Sequence, residues 1–375
     1  MSSTINKYHT LYFESTRNCN FSCIYCSSGS SEKKKHIDLP ENIITEKILK
    51  PAKSLGTKFI DFSGGEFLIR KDWDILLEKA HQLGFIIGIA SNGSLLNDST
   101  LTEIKKIVGT NTIFSIGINA FDTSNKTTRD IETEFALKAL ELIQHYGFRA
   151  NISITIGDFN KSSFSNTVKE IKKRYLPFNR IPFVPRNCTS YSLMFNKESL
   201  KKYFFPELIK HFNGQVSYTP YMLPQEVYES ISGQDLTHDQ IPLNPSVGCW
   251  VGAYYAINPE GEVSPCPMFL DHVSAGNVLE KPLKDILYHS ELFNKITDRK
   301  NLEGRCGNCK YTYTCGGCRV MSYYYTGNVF AEDPTCFLSE LSQKEIKSIE
   351  GKISKAFKNY ARMAHFGKNF TPPKK

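Results

Sequence analysis

The sequence predicts an α/β chain: six βα units curved into a partial barrel, followed by a cysteine-rich C-terminal domain and a terminal helix. Three observations predict it. Short β-rich runs alternate with longer amphipathic stretches from Tyr8 to about Arg186. The cysteines gather in an N-terminal triplet and a C-terminal block. Near the C-terminus, apolar residues return at helical spacing.

Strands are expected at Thr10–Glu14, Lys58–Ser63, Phe85–Ser91, Thr112–Ile118, Arg149–Ile156 and Arg180–Val184. Helices fall between them, near Glu41–Ser54, Asp72–Leu83, Ser99–Val108, Thr133–Tyr146 and Asn160–Tyr175. Gly84 and Gly147 follow helical stretches where a left-handed cap is expected. Such units build a parallel sheet bent into a partial (β/α)6 TIM-like barrel, and the loops after its strands converge on one face, where chemistry belongs. Residues 1–186 make up this barrel. Residues 187–246, rich in Pro, Tyr and Phe, form a bridging segment that either lines the substrate pocket or packs irregularly. Residues 247–337 form the cysteine-rich domain and 338–375 the terminal helix and tail. Leu341, Ile346, Ile349, Ile353 and Phe357 line one side of that helix, as a docking face does.

At 375 residues, with 40% hydrophobic and 22% charged composition, the chain can bury a sizeable core. There is no charged start leading into an apolar run, and no stretch of the roughly 18 to 20 apolar residues that a bilayer span needs. The expected location is the cytoplasm, with no membrane partner. The net charge of +8 comes from lysines scattered over expected helix surfaces, apart from Lys33–Lys35 and Lys374–Lys375. That pattern reads as solvated surface rather than a nucleic-acid footprint. Eleven cysteines without a secretion signal argue for metal ligation rather than disulfides.

Directly after the first strand, Cys19, Cys23 and Cys26 form a Cys-x3-Cys-x2-Cys triplet. Three thiolates on one tight loop can hold three irons of a cubane, leaving the fourth iron open. Taken alone, the triplet also suits a zinc loop short of one ligand. This spacing, with Tyr25 just before the third cysteine, resembles the radical S-adenosylmethionine (SAM) superfamily. Gly64-Gly65-Glu66, after the second strand, is similar to the family's GGE motif, which implies contact with the amino group of SAM; glycines permit close backbone approach and Glu66 offers an acceptor to an ammonium. Ser91 and Asn92, in Ala90–Leu96, resemble the family's third-strand TNG segment. Asn119-Ala120-Phe121-Asp122 resembles its DG.D segment, with Asn and Ala where Asp and Gly are usual, and Arg129 stands near where an arginine meets the SAM carboxylate, one residue short of the usual spacing. The resemblance implies reductive cleavage of SAM to methionine and a 5′-deoxyadenosyl radical, which abstracts hydrogen from the substrate.

The second constellation runs Cys249, Cys266, Cys306, Cys309, Cys315, Cys318 and Cys336. It resembles the SPASM extension of radical SAM enzymes, with two residues rather than three between Cys315 and Cys318. The resemblance implies one complete auxiliary cluster on Cys306, Cys309, Cys315 and Cys336, and a second on Cys249, Cys266 and Cys318. With the SAM-binding [4Fe-4S] cluster, the chain would then hold about 12 irons at four per cubane. Structural zinc is the alternative for the block. Cys188 is left over, just after the sixth expected strand. It is a candidate catalytic residue that donates hydrogen, carries an intermediate or completes the three-cysteine cluster, and otherwise an incidental thiol.

The leading expectation is a maturase that crosslinks, epimerises or otherwise modifies a C–H bond of a ribosomally made peptide. The runner-up is a tetrapyrrole-modifying enzyme of the heme pathway, followed by a dehydrogenase acting on a small metabolite. A zinc-stabilised binding module is the non-enzymatic alternative. The first strand begins by about residue 10, so a peptide substrate is expected to need a separate leader-recognition protein or direct binding at 187–246. An electron donor such as flavodoxin or ferredoxin is the remaining partner.

Overall fold

The computed structural model describes residues 7–33, 35–122, 128–129, 133–175, 183–187, 193–210, 219–239, 241–242 and 247–364. The chain divides into two compact units: Tyr8–Phe195 with Tyr254–Asn294, and Met1–Lys7 with Asn196–Ala253 and Lys295–Lys375.

The first unit is built on one sheet. Its strands are β1 (Thr10–Glu14), β2 (Phe59–Ser63), β3 (Ile86–Ser91), β4 (Ile113–Gly117), β5 (Arg149–Ile156), β6 (Phe183–Asn187), β7 (Tyr254–Ile257) and β8 (Val263–Ser264). The order is β6-β5-β4-β3-β2-β1-β7-β8. All neighbours are parallel except β7 and β8. The intervening helices are α1 (Glu41–Ile44), α2 (Lys50–Ser54), α3 (Trp73–Gln82), α4 (Asp98–Val108), α5 (Thr133–His145) and α6 (Phe164–Tyr175). A wide π-turn at Thr45–Leu49 joins α1 to α2. Pro51 lies just beyond it and lacks the N–H that a regular turn would use, which gives the helix a reason to widen there. Asn97 caps α4 by accepting from the Thr100 N–H at 3.0 Å.

Six strands were expected, and β1 to β6 supply them, with β6 three residues later than its expected start. The sheet then continues. Every residue of β1 and of β7 is buried, so β1 is an inner strand covered on both sides rather than an edge. The signal for the added hairpin was present: an apolar run, Ala253–Ile257, followed by Asn258-Pro259-Glu260-Gly261. It was obscured because the run lies inside the cysteine-rich stretch. Gly84 and Gly147 take the left-handed conformation expected after α3 and α5.

The second unit contains α7 (Phe205–Lys210), α8 (Gln225–Ser232), α9 (Arg319–Thr326) and α10 (Gln343–Ala364). The terminal helix was expected from Leu338, but Leu338–Glu340 is a separate 3-10 turn. A capping box sets the later start: the Ser342 N–H donates to Glu345 at 2.8 Å, and the Glu345 N–H donates to Ser342 Oγ at 3.3 Å. Ile346, Ile353 and Phe357 are buried, and Phe357 stacks on Tyr228 of α8 at 5.7 Å. Among the described residues no helix is long and apolar enough to cross a membrane.

Candidate functional site

Three loops meet at the C-terminal ends of β1, β2 and β3. After β1 the chain turns outward and carries Cys19, Cys23 and Cys26, all half-buried free thiols. The turn after β2 is hydrogen-bonded directly to this loop: the Gly65 N–H donates to the Thr16 carbonyl and the Glu66 N–H to the Asn18 carbonyl, both at 2.8 Å. Neither glycine tolerates a side chain. A Cβ on Gly64, which sits at φ +135°, would stand 2.2 Å from the Thr16 carbonyl oxygen, and one on Gly65 would stand 2.2 Å from that of Asn18 and 2.9 Å from Cys19 Cβ. Gly65→Ala is therefore expected to push the cysteine loop outward, with loss of roughly four irons per chain by metal analysis while the rest of the iron stays.

Glu66 is 0% exposed. Burial pushes its carboxyl up to about 7 despite hydrogen bonds that favour the anion. Those bonds come from the Leu68 N–H at 3.4 Å, the Ser91 hydroxyl at 3.1 Å and the Asn92 N–H at 2.7 Å. The segment after β3 also reaches the cysteine loop, through Asn92 Nδ2 to Asn20 Oδ1 at 2.9 Å and Asn20 Nδ2 to Ser94 Oγ at 2.8 Å.

Tyr25 stacks on Phe159 at 5.4 Å and accepts from Arg129 Nη1 at 2.9 Å. Burial raises its pKa, and its hydroxyl also bonds to Asn119. Asn119 Oδ1 receives the Thr155 N–H at 3.0 Å, which fixes its side chain at the end of β4. Arg129 is 8% exposed and lies over Gly117, where a Cβ would stand 2.1 Å from its Nη1. Burial disfavours its cation, but Tyr25, Cys23 and Cys19 around it hold its pKa above the ordinary value. The backbone before it is tied to the cysteine loop by the Ile24 N–H to the Thr128 carbonyl at 3.1 Å.

Burial pushes the Cys19 thiol up to about 11, and Glu66, Cys23 and Cys26 push the same way; burial likewise raises Cys23, against the pull of Arg129. Such thiols keep their protons until a metal displaces them. Among the described residues no three His, Cys, Asp or Glu side chains are gathered tightly enough to hold a single metal ion. A cubane makes no such demand, because each thiolate takes its own iron. The bare Gly64-Gly65 cradle, the buried Glu66 carboxyl and three neighbouring thiols fit a cluster with an amino-acid ligand beside it.

Arg17, two residues before Cys19, anchors the loop from the other side. Its Nε and Nη2 each bond to Glu260 at 2.7 Å, and its Nη1 bonds to Asp271 and to the Ser28 carbonyl at 2.7 Å. The bonds to Glu260, ahead of those to Asp271, hold the Arg17 pKa above its ordinary value, while Arg17 holds both carboxylates below theirs against the opposing effect of burial. Arg17→Met is expected to lower stability by about 1–2 kcal/mol, after allowing for solvent screening of the half-exposed carboxylates, as read from the urea midpoint. Because the carboxylate pKa values are depressed, this contribution is present above the usual carboxylate range and lost as pH falls through the lowered values.

In the second unit, Cys306, Cys309, Cys315 and Cys336 lie within electrostatic reach of one another. Burial raises Cys309, Cys315 and Cys336, and the Cys306 charge raises each further. Backbone N–H groups point at three of these sulfurs: Asp333 to Cys306 at 3.4 Å, Tyr311 to Cys309 at 3.5 Å and Tyr221 to Cys315 at 3.3 Å. A cavity of about 540 Å³ opens beside Cys309, with Arg299, Gly307 and Thr312 also in its wall. Cys249 and Cys318 belong to this unit and Cys266 to the other. Cys188 lies outside the described residues. Sequence reading missed Arg17, Asn20 and Phe159; their roles depend on partners far along the chain, and no local pattern marks them.

Comparison with known proteins bears on the family and the fold. The chain matches the radical SAM superfamily over residues 13–171 and SPASM, an iron–sulfur cluster-binding domain, over 249–310. It is 26% identical to the AdoMet-dependent heme synthase of Methanosarcina barkeri, over 90% of this chain and 98% of that one. It is also 26% identical to that organism's Fe-coproporphyrin III synthase, over 87% and 86%, and 24% identical to the PqqA peptide cyclase of Streptomyces rochei, over 88% and 89%. The fold is similar to that of anSMEcpe with bound AdoMet, with a TM-score of 0.66 at 16% identity, over 94% of this chain and 99% of that one.

Proposed function

From a chain that belongs to the radical SAM superfamily and carries a C-terminal SPASM iron–sulfur domain, we propose an enzyme that cleaves SAM reductively to modify a C–H bond of a tetrapyrrole of the heme pathway. The observation that carries the chemistry is the hydrogen-bonded junction of the Cys19–Cys26 loop with the Gly64–Glu66 turn. When bound, the cluster on Cys19, Cys23 and Cys26 supplies the electron that breaks a SAM carbon–sulfur bond and so the radical that takes hydrogen from the substrate. An external one-electron carrier of the flavodoxin or ferredoxin kind reduces it.

The chain's own residues bind and orient. Glu66, positioned by Ser91 and the Asn92 N–H, takes the SAM amino group. Arg129, held by Tyr25, supplies the charge for the SAM carboxylate. Tyr25, buried and stacked on the half-buried Phe159, helps keep water from the reacting atoms. Cys306, Cys309, Cys315 and Cys336 hold an auxiliary cluster in the second unit.

The tetrapyrrole reading rests on two relatives that align along nearly the whole chain and whose names are a heme synthase and an Fe-coproporphyrin III synthase. It replaces peptide maturation as the first choice. A peptide substrate is the second reading, favoured by the similarity to the PqqA peptide cyclase. The test is incubation of the reconstituted protein with SAM, a strong reductant and Fe-coproporphyrin III under nitrogen. Formation of 5′-deoxyadenosine that depends on the porphyrin, together with a change in the porphyrin's mass, is expected. An unaltered porphyrin beside a candidate peptide that does change would transfer the assignment to peptides.

A further inference from the structure

Two arginines of the second unit are 0% exposed and short of partners. Arg299 donates from Nη2 to the Cys249 carbonyl at 3.1 Å, and Arg319 donates from Nη1 to the carbonyls of Val329 at 2.9 Å and Ala331 at 2.7 Å. Nε and Nη1 of Arg299 and Nε and Nη2 of Arg319 meet no acceptor among the described residues. None of the partners they do have is a carboxylate. Asp333, a buried carboxylate beside Arg319, accepts instead from the Cys318 N–H, the Thr335 N–H and the Thr335 hydroxyl, and a buried cation with no carboxylate bonded to it is disfavoured. Here two stand close enough that Arg319 is among the charges disfavouring ionised Arg299, while Cys249 and Cys315 favour it.

The bare Gly316-Gly317 pair shows where the unpaired groups lie. A Cβ on Gly316 would stand 1.7 Å from Arg299 Nη1, and one on Gly317 would stand 2.7 Å from Arg319 Nη2 and 2.8 Å from Cys306 Sγ. Unsatisfied donors of both guanidiniums thus share the space beside the glycines with a cysteine sulfur. Arg299 also forms part of the wall of the cavity beside Cys309.

We propose that Arg299 and Arg319 are the counter-charge of the iron–sulfur cluster carried by Cys306, Cys309, Cys315 and Cys336, and that they raise its reduction potential. This rests on the reading that a four-iron cluster binds there. A cubane on four thiolates is an anion that gains one more negative charge on reduction, so fixed positive charge beside it favours the reduced form more than the oxidised one. The arginines act through the cluster, as positioning and tuning residues.

The test uses the full-length, iron-loaded protein and potentiometric EPR, with the relevant signal identified as the one lost in Cys309→Ala. At each arginine, a Lys variant keeps the charge and a Gln variant removes it. The Gln variants are expected to reduce at least tenfold less readily at the wild-type midpoint, about 59 mV for a one-electron couple, with the Lys variants close to wild type. Gln variants that lose this cluster's iron while Lys variants keep it would also support a charge requirement. If Lys and Gln variants shift alike, fail to shift, or lose iron alike, the arginines are structural and the proposal falls. If wild-type protein shows no Cys309-dependent signal, the cluster reading itself falls.

Discussion

Glu66→Gln is expected to weaken SAM binding by roughly 30-fold, about 2 kcal/mol, the difference between a hydrogen bond to a charged acceptor and one to its neutral isostere. The same substitution is expected to stabilise the SAM-free protein at pH 8. Burial raises the Glu66 carboxyl to about 7 in the folded chain, from 4.5 unperturbed. The folded state therefore holds a proton that the unfolded state has released, and stability falls as pH rises from about 4.5 to about 7. Above that window the cost is fully present, on the order of 3 kcal/mol. The difference in denaturant midpoint between wild type and Glu66→Gln should thus be larger at pH 8 than at pH 5, while titration calorimetry shows the loss of SAM affinity. A variant that binds SAM as wild type does would remove Glu66 from the cofactor site.

Cys23→Ala is expected to abolish the formation of 5′-deoxyadenosine from SAM under strong reductant, to the rate seen without enzyme, because one cubane loses a ligand. The fold should survive. Cys23 Sγ makes a weak contact to the Arg129 carbonyl at 3.8 Å and a hydrogen bond with the Tyr25 hydroxyl, so the expected loss of stability is on the order of 1 kcal/mol. Metal analysis should show about four irons fewer per chain, the auxiliary iron remaining. Unchanged cleavage in Cys23→Ala would disconnect the triplet from the chemistry.

How much of this was legible in the sequence follows from which partners are near in the chain. Cys19, Cys23 and Cys26 could be read because their spacing on a single loop carries the meaning, and Gly64–Glu66 because it follows a strand. The strand periodicity placed β1 to β5 within a residue or two at each end. The close approach of Gly65 to Asn18, the bond from Asn20 to Asn92 and the anchoring of Arg17 by Glu260 and Asp271 join positions dozens to hundreds of residues apart, and no local pattern reports them. β7 was missed for a related reason: four apolar residues within a cysteine-rich stretch gain their meaning only from pairing with β1, more than 200 residues earlier. No local pattern singles out Arg299 and Arg319, whose burial beside Gly316 and Gly317 appears only in the folded chain. Side chains that belong to a site by charge rather than by motif leave no trace in the one-dimensional pattern.

The central claim, that three loop cysteines present an open iron to SAM beside Glu66, is tested most directly by EPR of the reduced, anaerobically purified protein with and without SAM. One cluster signal should change when SAM is added, and that signal should be absent from a variant carrying alanine at Cys19, Cys23 and Cys26. Protein that binds zinc and no iron, or iron whose spectrum is indifferent to SAM, would contradict the account.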